Sequence, residues 1–361
     1  MLPRYFTYKA FEACWKDCLN NLTNVACNAQ VLGTSVLGEA IYGVQLGNGK
    51  QRVLVWSNMH GNETTTTRAL MLFLNRCDLT GLLAQLTLYI IPVLNPDGLN
   101  NWTRFNANNA DLNRDAQDLN QPESVVLRQV FDDFKPHFCF NMHDQRSIYG
   151  NESGDKPVQL SFLAPAATKE RTITSARLKA MQVVNAIYKK VSKETAGIIG
   201  RYNDAFNDNC VGDYFQSRDV PTILFEAGHA GEDYYREKAV TLIEECFTEA
   251  LQAVSSSAVL HEELVVETYL NIPPIAQNYV DVLLKNVPDG FTKAHLAIVY
   301  HETLVDSILY FVPMLVGINV TDIKNAHRVI DCDAVSVFAH DLSVDANLVV
   351  SCPSLEVLTF H

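Results

Sequence analysis

The 361-residue chain has no excess of positive charge and no block of Lys and Arg: 28 basic residues stand against 41 acidic ones, a formal net charge of −13. Neutralising a phosphate backbone needs clustered cations, so a nucleic-acid-binding face is excluded. Docking on an anionic membrane surface is excluded for the same reason. Long apolar runs are also missing. The longest near the C-terminus, SILYFVPMLVGINV (residues 307–320), is too short to span a bilayer and contains a proline. The opening stretch MLPRYFTYKAFEACWKDCLN mixes charge with short apolar runs and has no continuous hydrophobic region, so no secretory leader is predicted. The nine cysteines are odd in number and scattered without framework spacing, which predicts reduced thiols and a cytoplasmic location. Cys14, Cys18 and Cys27 lack the paired spacing of a four-ligand metal site and read as plain buried cysteines. No internal repeat and no low-complexity segment interrupts the chain.

What is present is an ordinary globular balance, 48% hydrophobic and 19% charged, with material for one large domain or two. A helical lead-in and short strands fill residues 1 to about 50. Apolar runs then alternate with helical patterns: RVLVWS before TTTTRALMLFLNRC, LTLYIIPVLNP before an Asn-rich loop, and PESVVLRQVFDDF before HFCFNMHD. Farther on, ERTITSARLKAMQVVNAIYKKVSKE and DYYREKAVTLIEECFTEALQAVSS read as helices flanking the buried strand PTILFEAG. The pattern predicts an α/β fold with a mixed, largely parallel sheet covered by helices on both faces. Beyond about Asn286 the runs AHLAIVYHE, SILYFVP, AVSVFAHD and NLVVSCP predict a small β-rich C-terminal appendage. The expected division is a catalytic unit over 1–255, a connector over 256–286 and a β-rich unit over 287–361.

The stretch VLVWSNMHGNETTTTRALM sets His60 and Glu63 between an apolar strand and a helix. Three residues is close to one helical turn, so both side chains can face one way, as two thirds of a three-ligand zinc site. Taken alone, such a pair is more often a capping arrangement with a surface histidine. The third ligand is expected at another strand end on the same sheet edge, where open α/β sheets carry their sites. His143 in CFNMHDQ fits, although a structural histidine is the alternative for a single residue. Glu226 ends the very apolar strand of TILFEAGH, where burial penalises a carboxylate unless it serves as a general base. The loop NPDGLNNWTRFNANNADLNRDA carries Arg104, Asn113 and Arg114, cationic and amide groups suited to a substrate carboxylate or a developing oxyanion. Its bland reading is a solvated Asn-rich loop.

In this order, HGNE, NPDG, DLNRD, a strand-end His and a later FE strand resemble the zinc carboxypeptidase family of the carboxypeptidase A type, over roughly residues 30 to 250. The branch of succinylglutamate desuccinylases and aspartoacylases shares HGNE and DLNR. The resemblance implies zinc held by His60, Glu63 and His143, with Glu226 as the general base for a metal-activated water. It further implies that Arg104 polarises the scissile carbonyl and that Asn113 and Arg114 clamp the terminal carboxylate. The family's substrate-covering tyrosine would be Tyr202, or else Tyr214. His143 is followed by Asp-Gln where digestive members have Ser-Tyr, so Asp144 is a candidate to orient a ligand. His229, three residues after Glu226, is a possible decoy. The function expected is hydrolysis of the C-terminal bond of a peptide. The rivals are deacylation of an N-acyl amino acid bearing a free carboxylate and a non-catalytic zinc- or peptide-binding module.

Overall fold

The computed structural model describes residues 2–75, 79–193, 198–256, 261–289, 292–321, 323, 325–334 and 342–352. The chain opens with helix α1 (Tyr8–Asn21), strands β1 (Cys27–Thr34), β2 (Ala40–Leu46) and β3 (Gln51–Ser57), helices α2 (Thr65–Leu74) and α3 (Thr80–Leu83), and strand β4 (Leu86–Ile91). Then follow α4 (Pro96–Asn101), α5 (Pro122–Phe134), β5 (Phe138–Asp144), β6 (Tyr149–Asn151), β7 (Val158–Leu163), α6 (Ser175–Val191), β8 (Ile198–Arg201), α7 (Val211–Ser217), β9 (Thr222–Ala227), α8 (Glu237–Ser255) and α9 (Glu262–Leu270). Strands β10 (Ile275–Gln277), β11 (Tyr279–Asp289), β12 (Thr292–Val305), β13 (Ile308–Ile318) and β14 (Asn325–Asp331) complete the main elements.

Eight strands form one mixed sheet in the order β1-β2-β4-β3-β5-β9-β7-β8. Its centre, β4-β3-β5-β9, is parallel, whereas β2 meets β4, and β7 meets β9, in antiparallel pairs. All six residues of β4 are buried, and so are the last five of β3. A strand wet on one face would alternate, so these continuous apolar runs require cover on both. On one face Val53, Val55, Leu88, Phe140 and Phe225 pack with α2, α6 and α8; on the other Leu54, Trp56 and Ile91 pack with α5 and α7. Phe131 of α5 stacks on Phe215 of α7 at 3.9 Å between centroids, and Trp56 meets Phe215 edge-on at 5.5 Å.

Helix ends follow local chemistry. The stretch expected as a helix from Glu170 starts only at Ser175, because the side chain of Thr174 caps it by accepting from the Arg177 amide. Helix α5 begins at Pro122, where a missing N–H costs nothing. The C-terminal β-rich region is a four-stranded sheet ordered β13-β12-β11-β14, which begins at Tyr279. Helix α9 and β10 lie between it and α8, and β10 pairs with β6 of the larger unit. The run AVSVFAHD lies, but for its first residue, outside the described residues. Among the described residues no helix is long and apolar enough to cross a membrane. Cys14, Cys18 and Cys27 are free thiols, and Cys27 is exposed.

Candidate active site

The site is built at the C-terminal ends of β3, β5 and β9. After Ser57 the chain turns through Asn58, whose φ of 53° is left-handed, a conformation that asparagine tolerates. The Asn58 side-chain amide donates to the carbonyls of His60, Gly61 and Glu63 at 3.2, 3.1 and 3.0 Å. These bonds curl the HGNE segment into a tight loop ahead of α2. The NPDG segment is its buttress: Asn95, Pro96, Asp97 and Gly98 are all buried, and the Asn95 amide donates to the Met59 carbonyl at 3.2 Å. Gly61 is required there, since a Cβ would lie 1.9 Å from the Gly98 carbonyl carbon.

His143, near the end of β5, is in register with Glu226 of β9, so both side chains leave the same sheet face. His60 Nδ1 lies 2.8 Å from Glu63 Oε1, His143 Nδ1 lies 2.8 Å from Glu63 Oε2, and the two Nδ1 atoms are 3.1 Å apart. All three residues are buried. Burial alone would raise the Glu63 carboxyl, but the two imidazoles outweigh it and hold that carboxyl well below the usual range. At His60 the desolvation that would lower the imidazole is outweighed by Glu63 and Asp111.

Asp111 is not singled out by the sequence reading, and it proves decisive for His60. Its Oδ1 lies 3.1 Å from His60 Nε2, so that ring nitrogen donates and Nδ1 presents its lone pair to the centre. The signal is present in DLNR, two residues before Asn113, but nothing local distinguishes this aspartate from a turn residue. Asp144, in contrast, turns its carboxylate away from the imidazoles, to Arg4 at 3.0 Å and the Thr65 amide at 3.1 Å. Only its backbone amide reaches a site residue, Glu63 Oε2, at 3.2 Å.

Three donors converge face to face on one point, two nitrogens and a carboxylate. A tetrahedral ion with bonds of about 2.0–2.1 Å sets its ligand atoms about 3.3 Å apart, close to the separations found here. Two imidazole lone pairs opposed at 3.1 Å repel unless a cation or a proton lies between them. The donor set therefore fits zinc, and these residues form one of the groups able to hold a metal ion among the described residues.

A cavity of about 390 Å3 opens on this centre, and its wall includes Arg104, Asn113, Arg114, Tyr202 and Glu226. Arg104 Nη2 pairs with Asp111 Oδ2 at 3.0 Å, and Nη1 is 3.6 Å from Glu63 Oε1. The Asn113 side-chain oxygen accepts from the Val211 amide at 3.0 Å, and Arg114 Nη1 donates to the Asn113 carbonyl at 2.7 Å. Tyr202 bonds Tyr149 through its hydroxyl at 2.9 Å. Tyr214 is not part of this wall; it is held between Arg128 and Arg218, at 4.7 and 5.5 Å from its ring. His229 faces the β-rich region instead, stacked on His327. Burial pushes the Glu226 carboxyl well above the usual carboxylate range, with repulsion from Glu63 and Asp144 adding to it.

The cavity also contains Asp213, whose carboxyl burial lifts to about 7. A carboxyl raised in the folded state leaves stability intact below its unfolded pKa and erodes it as pH climbs toward 7. Asp213→Asn is therefore expected to stabilise the protein at pH 8 by up to roughly 4 kcal/mol, each pH unit between the unfolded and folded pKa values counting for about 1.4 kcal/mol. It is expected to change little at pH 4. Denaturant unfolding at both pH values checks this.

The sequence profile described as zinc carboxypeptidase matches residues 14–188. Over that segment, just under half of the chain, the sequence is that of the zinc carboxypeptidase family. Zinc is accordingly the cofactor, and His60, Glu63 and His143 are a candidate site for it. The family's fold is matched by the metallo-carboxypeptidase of Burkholderia cenocepacia, with a TM-score of 0.56 at 17% identity over 70% of each chain. Carboxypeptidase A of Helicoverpa armigera matches with a TM-score of 0.55 at 18% identity, over 70% of this chain and 74% of that one. Among curated proteins, Carboxypeptidase 2 of Trichophyton rubrum is 30% identical over 100 residues, 26% of this chain and 19% of its own length. A gamma-D-glutamyl-L-diamino acid endopeptidase of Lysinibacillus sphaericus is 35% identical over 82 residues, 19% of this chain and 21% of that protein. The chain thus spans about a fifth of the length of the curated relatives it matches.

Proposed function

We propose that this zinc carboxypeptidase-family protein is a metallocarboxypeptidase that hydrolyses the C-terminal peptide bond of peptides, with residues 1–255 as the catalytic unit. The observation that carries the reading is the register of β5 with β9, which sets Glu226 beside the His60–Glu63–His143 centre. The wall of the same cavity carries groups suited to a carboxylate.

His60, Glu63 and His143 would hold the zinc. When bound, the ion supplies Lewis acidity and makes a water acidic enough to attack at neutral pH. Glu226 accepts the proton of the attacking water and returns it to the departing amine, the work of a base with a pKa raised toward neutrality. Arg104 donates to the oxygen on which negative charge develops. Arg114, with Asn113 beside it, takes the terminal carboxylate through the guanidinium fork. Tyr202 closes the cavity wall over the substrate.

Turnover of a dipeptide panel, run beside acetyl- and succinyl-amino acids and repeated after chelation, tests the reading. Peptide cleavage abolished by chelator and restored by zinc supports it. Cleavage of the acyl-amino acids alone would assign the chain to deacylation, and no turnover on either panel would leave a zinc- or peptide-binding module. Arg104→Ala is expected to lower kcat by about 10²–10³-fold with a smaller effect on KM, the loss typical of one oxyanion donor. Steady-state kinetics on the best dipeptide checks it, with zinc content measured in parallel because Arg104 also touches Asp111.

A further inference from the structure

A second cluster of ligating side chains lies where the β-rich sheet meets the larger unit. Its members come from three elements: His229 just after β9, Asp281 in β11 and His327 in β14. Strands β11 and β14 run parallel with Val280 opposite Ala326 and Val282 opposite Arg328, so Asp281 and His327 are neighbours on one face. The His229 and His327 rings stack with centroids 4.4 Å apart and planes 16° from parallel. One donor atom from each of the three residues lies within 4.8 Å of the others.

Their hydrogen bonding is incomplete in a particular way. His327 Nε2 faces the Ser147 carbonyl at 3.0 Å, so it carries the proton and leaves Nδ1 as a bare lone pair. That Nδ1 has no partner among the described residues. Neither ring nitrogen of His229 has one, although the residue is only 2% exposed. Asp281 is fully buried; its Oδ2 accepts from Ser147 Oγ at 3.0 Å and the Tyr300 amide at 2.7 Å, and the Tyr234 hydroxyl also donates to the carboxylate, while Oδ1 is counted without a partner among the described residues. Each unsatisfied buried group costs about 1–3 kcal/mol, so aromatic packing alone is a poor account of the cluster.

We propose that His229, Asp281 and His327 bind a divalent transition-metal ion, zinc, that fastens the β-rich region to the catalytic layers. Two imidazoles and a carboxylate are borderline donors that suit zinc, whereas calcium and magnesium take oxygen shells. A ring N–H given to a backbone carbonyl, as in His327, is how metal-bound histidines are oriented. The nearby Arg236 and Arg4 both oppose a cation at His229, but Asp144 and Glu302, which pair with Arg4, act on Arg236 as well and temper that field. This site is independent of the catalytic reading, since it shares no ligand with it.

The test uses the full chain with the first site removed. Metal-free His143→Ala protein, given zinc, is expected to retain one equivalent by elemental analysis after desalting. Adding Asp281→Asn, which keeps the side chain's shape, is expected to abolish that retention while circular dichroism stays native. Cobalt added to the His143→Ala chain should give the visible d–d absorption of a low-coordinate site, a readout that needs no second substitution. Chelation should lower the melting temperature of the His143→Ala chain and not that of the double variant. A His143→Ala chain that takes up neither metal, or an Asp281→Asn change that leaves uptake intact, overturns the proposal. If instead wild type and His143→Ala bind equally and Asp281→Asn removes the ion, the junction site stands and the first site fails.

Discussion

Glu226→Gln is expected to lower kcat/KM by about 10³-fold, roughly 4 kcal/mol of transition-state stabilisation, within the range that a positioned general base supplies. The isosteric amide leaves His60, Glu63 and His143 untouched, so zinc content should equal that of wild type. The same change should make the protein more stable. Glu226 is held well above the usual carboxylate range by burial, then by Glu63 and Asp144. With the folded pKa raised, the carboxyl costs nothing at low pH, and its cost appears as pH rises through the window between the unfolded and folded values. Above that window Gln removes the cost. Lost turnover with gained denaturant resistance near neutral pH is the signature of a group kept for chemistry at the expense of stability. Wild-type activity in the variant would remove Glu226 from the mechanism, and lost zinc would make it a structural residue of the site.

His143→Ala carries the other large effect. The variant should lose one zinc equivalent and peptide turnover together, because two donors remain where catalytic sites use three. The deletion also leaves Glu63 Oε2 without its imidazole partner at 2.8 Å. Excess zinc should not restore more than a small fraction of the rate, while an activity unchanged from wild type would exclude this histidine from the centre. Elemental analysis beside a progress curve at saturating zinc gives both readings from one preparation.

The strands that carry the candidate site have a local signature, while its donors stand out only as an ordered set of short motifs that resembles a family pattern. Residues 53–57 end an apolar strand, 138–143 end another and 222–226 a third, and all are central strands of the observed sheet. Strands buried on both faces announce themselves as unbroken apolar runs, so polar residues at their ends stand out. What remained open concerned groups whose role depends on distant partners. Tyr202 and Tyr214 are alike in sequence context; the hydroxyl of Tyr149, 53 residues away, and two arginines that hold Tyr214 elsewhere separate them. Asp144 looked like a partner for a ligand, yet Arg4 from the start of the chain draws its carboxylate away.

Periodicity and strand-end chemistry, read from the residues alone, therefore determined the mixed α/β sheet and the edge where a site is expected, while the choice of donors came from the resemblance of HGNE, DLNRD and the later FE strand to a family pattern. Only the tertiary structure decided that Asp111 orients His60 from 51 positions away and that His229 meets Asp281 and His327 across the junction. The physical reason is reach. Backbone preference and burial pattern act over a few residues, whereas a hydrogen bond or a shared ion depends on register and loop paths that no local stretch encodes.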